Sequence, residues 1–346
     1  MHFCLRLNDN LGKCIIAVMK KLLAIVGPTG IGKTDLAYFL SGLINASIIS
    51  ADSIQIYQGL DVISGKDLPK DAEFQRFKVS NSHNSNYSFG YYKIFNGTKI
   101  YLLDVVTPSQ QFSVFDFNTL FDVISNLIIQ EKKLPILTGG TGFYIDSIFQ
   151  NIDTISIPQN RILREKLENL DCKSLQELLQ EKDAQKFGKM NNSDRGNKRR
   201  LIRAIEVVGF KPLLEVKPQY ADKFETLFIG LNAPREILKS RIDARVEKRL
   251  RYGALDEARR LFEQYHNLAA QIKTASGYRQ LFEYLKGNYS FDEAVVKWKR
   301  AEYLNAKKQL SWFKKNKYIC WFDITSGKLE NRVKKLVEDW YNEREG

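Results

Sequence analysis

Three residue types are scarce in this 346-residue chain: histidine, methionine and cysteine, at three, three and four copies. Cys4, Cys14, Cys172 and Cys320 stand far apart and form no CxxC pair, and His2, His83 and His266 are isolated. Such spacing argues against a zinc cluster or a disulfide framework and fits a reducing cytoplasm. No run approaches the roughly 18 apolar residues of a membrane span, so a membrane is not an expected partner. The apolar stretch Cys14–Met19 is too short for a signal peptide and lacks a small-residue cleavage site. Acids are also in the minority, 40 against 53 bases, for a net charge of +13. An excess of that kind permits a polyanionic partner. Total charge alone also describes a solubilising surface, so its placement decides.

What is present reads as a globular protein, with 44% hydrophobic and 27% charged residues. The length exceeds what one core usually holds, which predicts two lobes or a core with an insertion. Short apolar runs at Lys21–Val26, Ala46–Ser50, Lys99–Val106 and Leu134–Thr138 alternate with amphipathic stretches such as Thr34–Leu43. This alternation predicts a doubly wound α/β core with a mainly parallel sheet. Ser113 with Asp116 forms a capping-box pattern opening a helix to about Lys132. Residues 60–97 are polar and read as loop or hairpin. Pro158–Gly209 is charged, helical in period and without a convincing strand, which reads as a helical insertion domain. Strand character returns at Glu225–Leu231 and Tyr318–Phe322, with helix throughout Pro234–Lys315 and over residues 328–343. The expected organisation is an N-terminal extension at 1–19, disordered or lying before the true start. A first core segment at 20–154, a helical insertion at 155–222 and a mostly helical second core segment at 223–346 follow it.

Gly27-Pro28-Thr29-Gly30-Ile31-Gly32-Lys33-Thr34 matches GxxxxGK[ST] between an apolar strand and a helix. Glycines there let backbone N–H groups converge on phosphate, Lys33 adds a point charge, and the Thr34 hydroxyl can hold Mg²⁺. The helix start contributes its positive dipole end. This P-loop names a pyrophosphate-like ligand but not a reaction. Asp52, in Ser50-Ala51-Asp52-Ser53-Ile54-Gln55, follows a second strand whose end faces the same crevice in such folds. On these residues alone Asp52 could also cap a turn.

GPTGIGKT, SADSIQIYQGLD and LTGGTGFY, in that order, resemble the tRNA dimethylallyltransferase family. The likeness continues through KRRLIRAIEV (Lys198–Val207), SGYRQ (Ser276–Gln280) and AKKQLSWFK (Ala306–Lys314), covering roughly residues 20–315. It implies transfer of a dimethylallyl group from dimethylallyl diphosphate to the N6 amine of the adenosine 3′ of the anticodon in tRNA. It makes Asp52 the general base, places Thr141 at the reaction centre, and seats the diphosphate on Gly27–Thr34 with Lys33 and a Mg²⁺ at Thr34. Thr141 also suits a helix N-cap. By the same likeness Asp52, Ser53, Ile54, Gln55, Thr141, Arg164, Arg199, Arg200, Leu201, Ile202, Arg203, Gly277, Tyr278, Arg279, Lys307 and Lys308 bind the anticodon stem-loop. The implied default is a cytoplasmic monomer.

Two basic segments agree with an RNA partner. Arg195, Lys198, Arg199, Arg200 and Arg203 cluster, and positions 199, 200 and 203 share a helical face. Lys297–Lys317 carries eight bases against Glu302, with Trp298, Tyr303, Trp312 and Phe313 interleaved. Those aromatics suit base stacking or a core, and Trp312-Phe313 are expected to pack inward. The chain departs from the family's pattern at Lys99–Asp104, where a histidine pair is absent. It departs again at Ile63–Pro69, at Tyr303, and over the remodelled residues 70–98. Three other readings remain open. Asp104 could be the Mg²⁺-holding acid of a P-loop phosphotransferase or ATPase. The acceptor could be a free adenine nucleotide. The chain could be a non-enzymatic RNA-binding module.

Overall fold

The structure is a computed structural model, and it describes residues 6–8, 14–16, 19–77, 90–94, 96–150, 154–155, 157, 159–208 and 223–342. The Asn/Ser-rich turn at 81–86 lies outside these residues. The chain divides into two compact units, one made of Met1–Ile148 with Tyr220–Gly346 and the other of Phe149–Gln219.

In the larger unit, β1 (Arg6–Asn8) and β2 (Cys14–Ile16) pair with each other as an antiparallel hairpin. The main sheet comprises β3 (Lys20–Val26), β4 (Ala46–Ser50), β5 (Glu73–Arg76), β6 (Gly90–Lys93), β7 (Lys99–Tyr101), β8 (Leu134–Gly139), β9 (Phe224–Asn232) and β10 (Ile319–Asp323). Its order is β10-β9-β3-β8-β4-β7-β6-β5, parallel from β10 to β7 and antiparallel at β6 and β5. β3 and β4 are buried along nearly their whole length, as parallel strands covered on both faces must be. Helix α1 (Lys33–Leu43) leaves β3 and turns Leu36, Ala37 and Leu40 onto the sheet. Full burial of each leucine is worth about 1.5–3 kcal/mol. Helix α2 (Val114–Gln130) opens on the expected capping box, with Ser113 and Asp116 exchanging bonds. It returns the chain to β8, which fills the slot between β3 and β4. Helix α3 (Gly142–Phe149) follows β8. The ends of β3, β8 and β4 thus lie side by side at the point where the winding reverses, the usual place for a ligand in such sheets.

The strand expected over Lys99–Val106 stops at Tyr101. Leu102 and Asp104 take positive φ values of 63° and 55°, which no strand tolerates. The backbone then joins the turn after β4, where Gln55 O accepts from Asp104 N and Ile56 O from Val105 N, at 3.2 and 2.7 Å. The long C-terminal helical region is segmented as α9 (Arg235–Arg251), α10 (Ala254–Gln264), α11 (Ala270–Thr274), α12 (Tyr278–Leu285) and α13 (Phe291–Phe313). Glycines 253, 277 and 287, at φ 92°, 89° and 81°, make three of the breaks. Helix α14 (Leu329–Asn342) sets Val333 and Val337 into the main core.

The smaller unit holds α4 (Arg161–Glu168), α5 (Cys172–Lys182), α6 (Ala184–Lys189), α7 (Asn192–Arg195) and α8 (Lys198–Val207). Asn160, Asp171, Asp183, Asn191 and Asn197 each cap one of them with a side-chain oxygen. Leu167, Leu175, Leu179, Leu201, Ile202, Ala204 and Ile205 form its core.

Candidate active site

The phosphate loop turns through Gly27, Gly30 and Gly32, all with positive φ. At Gly27 a Cβ would sit 2.6 Å from the Leu231 carbonyl oxygen, so only glycine fits against β9. Gly32 enters α1 at φ 101°. Lys33 is half-buried and donates to Pro28 O at 2.8 Å. Burial, then the positive charge of Arg245, lower its pKa to about 7, against the opposing pull of Asp52. An anion bound beside it would raise that pKa again. Thr34 is half-buried on the first turn of α1, with no hydroxyl partner among the described residues.

Asp52 heads the turn after β4. Its Oδ1 accepts from Ile54 N at 2.9 Å and Gln55 N at 3.3 Å. Among the described residues Oδ2 has no hydrogen-bond donor, which leaves it as the oxygen able to receive a proton. Gln55 is locked in turn, donating to Gly65 O at 2.8 Å and accepting from Ser50 Oγ at 3.1 Å. Thr141 belongs to the same arrangement. Its Oγ1 accepts from Ser53 N at 3.1 Å and lies 3.3 Å from Ser53 Oγ, while its own N–H reaches Ala51 O at 3.2 Å. Gly139 has to be glycine, because a Cβ would lie 2.2 Å from Ala51 O. Lys33, Asp52 and Thr141 therefore converge from three adjacent strand ends.

Sequence reasoning missed several groups at this centre. Arg245 on α9 donates to Thr29 Oγ1 at 3.1 Å, and Arg241, one turn earlier, donates to Gly30 O at 2.9 Å. Gln309 on α13 bonds both the Thr29 N–H, at 2.8 Å, and Gly140 O, at 2.9 Å. The Thr29 N–H is consequently taken by protein and is not one of the loop groups open to phosphate. Glu257 on α10, 7% exposed, collects the N–H groups of Asp61, Val62 and Ile63 at 2.7, 2.7 and 3.0 Å and the Tyr278 hydroxyl at 2.7 Å. It pins the segment that carries Gly65. Gln309 stands inside the AKKQLSWFK motif, which was a signal. Arg241 and Arg245 share one helical face, but nothing in the sequence said which loop they meet.

Asp104 does not serve the phosphate loop. Its carboxylate pairs with the buried Lys66 and accepts from the Tyr92 hydroxyl at 2.7 Å. A Mg²⁺-holding acid at this position therefore finds no support. Among the described residues no group of three or more His, Cys, Asp or Glu is placed to hold a metal.

The residues expected to meet RNA separate into two kinds. Arg199, Arg200, Arg279, Lys307 and Lys308 are exposed. Leu201, Ile202 and Tyr278 are buried at 0%, 5% and 0% exposure and present no surface. Gly277 is buried as well, where a Cβ would press Ile63 at 2.4 Å. Arg164 and Arg203 turn inward onto Glu206. Arg164 forks onto both Glu206 oxygens, at 2.9 and 2.8 Å, and Arg203 adds a further bond to Oε2 and one to Ile157 O at 2.7 Å. Burial alone would raise the Glu206 pKa, but the bonds from Arg164, Arg203 and the Asn160 N–H hold it below the usual range. Phe313 packs inward as expected, at 2% exposure. Trp312 does not: it stays 38% exposed against Gly142 and donates to Asp146 Oδ2 at 2.7 Å.

Known proteins resemble this chain along most of its length. The IPP transferase family model matches residues 55–316, and an isopentenyl transferase model matches 20–80. A tRNA dimethylallyltransferase of Finegoldia magna is 33% identical, over 94% of this chain and 99% of its own length. One from Halothermothrix orenii is 32% identical, over 92% and 93%. Among solved structures, the tRNA isopentenylpyrophosphate transferase of Bacillus halodurans superposes with a TM-score of 0.63 at 28% identity, covering 92% of this chain and 96% of its own. A eukaryotic dimethylallyltransferase acting on tRNA shares the fold, with a TM-score of 0.72 at 24% identity over 94% and 80%. With the family model matching residues 55–316 and relatives 32–33% identical over more than nine-tenths of the chain, the chain belongs to the IPP transferase family.

Proposed function

We propose that this protein transfers a dimethylallyl group from dimethylallyl diphosphate to N6 of the adenosine 3′-adjacent to the anticodon in tRNA. The observation that carries the reading is the convergence of Lys33, Asp52 and Thr141 from neighbouring strand ends. The exocyclic amine of adenine is a poor nucleophile because its lone pair is delocalised into the ring. As the N6–C1 bond forms, Asp52 Oδ2 accepts the N6 proton. As the C1–O bond breaks, negative charge grows on the departing diphosphate. Lys33 and Arg245, with the free N–H groups at the start of α1, stabilise that charge. Thr141, braced on Ser53, holds the acceptor turn against Asp52. The Thr34 hydroxyl would hold a Mg²⁺ at this place. That ion would add positive charge at the leaving group.

Exposed Arg199 and Arg200 in the smaller unit, and Arg279, Lys307 and Lys308 in the larger one, support a tRNA footprint that a mononucleotide acceptor would not need. Incubation with labelled dimethylallyl diphosphate, Mg²⁺ and unmodified tRNA should yield prenylated adenosine, and AMP should yield none. Nucleotide hydrolysis without prenyl transfer would sink the proposal. No described helix is long and apolar enough to cross a membrane, and we place the reaction in the cytoplasm on a monomer.

A further inference from the structure

Gln309 lies on α13, immediately after the exposed Lys307 and Lys308, and is itself half-buried. Oε1 accepts from the Thr29 N–H at 2.8 Å, and Nε2 donates to Gly140 O at 2.9 Å. A backbone N–H only donates and a carbonyl only accepts, so the amide can be oriented in one way. Thr29 belongs to the loop that carries Lys33. Gly140 precedes Thr141, which is bonded to Ser53 beside Asp52. β3 and β8 are paired as far as Val26 and Gly139. Beyond that pair, Gln309 bonds both loops at once. Its approach is close, because a Cβ at position 140 would lie 2.4 Å from Nε2.

We propose that Gln309 is a positioning residue that sets the separation between the leaving-group loop and the acceptor turn. Its amide is spent on the two loops, and it acts on the reaction through them. The inference rests on the reading of the reaction centre given above. In-line transfer needs the two reacting atoms at near-contact distance, and a misplacement of about 1 Å can cost on the order of a hundredfold in rate. Loss of the bridge therefore slows chemistry while leaving each substrate's own contacts in place.

Two variants separate the two ends of the bridge. Q309E is nearly isosteric and keeps an acceptor for the Thr29 N–H, but sets an oxygen against Gly140 O. Q309L loses both bonds. Single turnovers with enzyme in excess over labelled tRNA, at saturating dimethylallyl diphosphate, report a first-order rate constant that does not depend on the folded fraction. Both variants should lose about tenfold or more in that constant, with tRNA and donor dissociation constants changed by less than about threefold. The ratio of Q309E to wild type should climb as the pH falls from about 8 to about 5.5, because a protonated carboxyl can donate to Gly140 O again. If Q309L does not fold, Q309E carries the test. A wild-type rate constant for Q309E at the higher pH, or a loss confined to amplitude or affinity, would overturn the proposal. Asp52→Ala, measured alongside, separates the two ideas: if it keeps full rate, the reading of the reaction centre fails, and if it alone is slow, only the role of Gln309 fails.

Discussion

Lys33 in the α/β unit and Arg203 in the helical unit are both cations in motifs that pointed to polyanion binding, yet the fold treats them in opposite ways. Lys33 is desolvated and faces Arg245, with only Asp52 pulling the other way. Arg203 shares with Arg164 a carboxylate that is 1% exposed. On the proposed function, the first arrangement is electrostatically unfinished until an anion binds. The second is complete and acts as an internal fastener. On that reading, uncompensated charge is a better guide to a ligand site than charge itself.

The sharpest way to break this contrast is at the unfinished site. Asp52→Ala should lower turnover by about 10²–10⁴-fold with tRNA affinity little changed, and equal losses in both would remove the base role. At the finished site, Glu206→Ala leaves two arginines facing a buried gap and should destabilise the helical unit by about 3–5 kcal/mol. Urea denaturation followed by circular dichroism would measure it, and an unchanged midpoint would show that the network does not hold the unit together.

Lys33 offers a subtler test. Its folded pKa lies below its unfolded value, so the unfolded chain binds more protons between about pH 7 and 10.5, and stability rises with pH across that window. On the proposed function, diphosphate binding should reverse the shift and draw a proton onto Lys33. Above about pH 7, calorimetry in buffers of different ionisation heat should show proton uptake on donor binding, and Lys33→Met should abolish it. The smallest effect is expected on the exposed face of α8. Arg199→Ala with Arg200→Ala should weaken tRNA binding and reduce its salt slope by about 1 for each phosphate no longer neutralised. An unchanged slope would move the footprint elsewhere.

How much of this was legible follows the range of the interactions. The phosphate loop, the Asp52 turn and the Gly-Gly-Thr turn are local features, set by glycines and by side chains two or three residues away, and the alternation of strands and helices was legible for the same reason. The early end of β7 was not legible, because Asp104 and Val105 are tied by backbone bonds to residues 55 and 56. Arg203 with Glu206 could have been noticed as an i,i+3 pair, but its burial and the fork from Arg164 could not.

The sequence by itself determined which loops could cradle a phosphate, which carboxylate could follow the second strand and that Pro158–Gly209 has a helical period. Only the tertiary structure decided that Gln309 meets Thr29 from 280 residues away. It alone decided that Glu257 pins Asp61–Ile63 from 194 or more residues along the chain. It alone decided which arginines face solvent and which close on a carboxylate. The reason is that hydrogen-bond partners and desolvation are properties of the packed chain, and spacing along one helix carries no record of what lies against it.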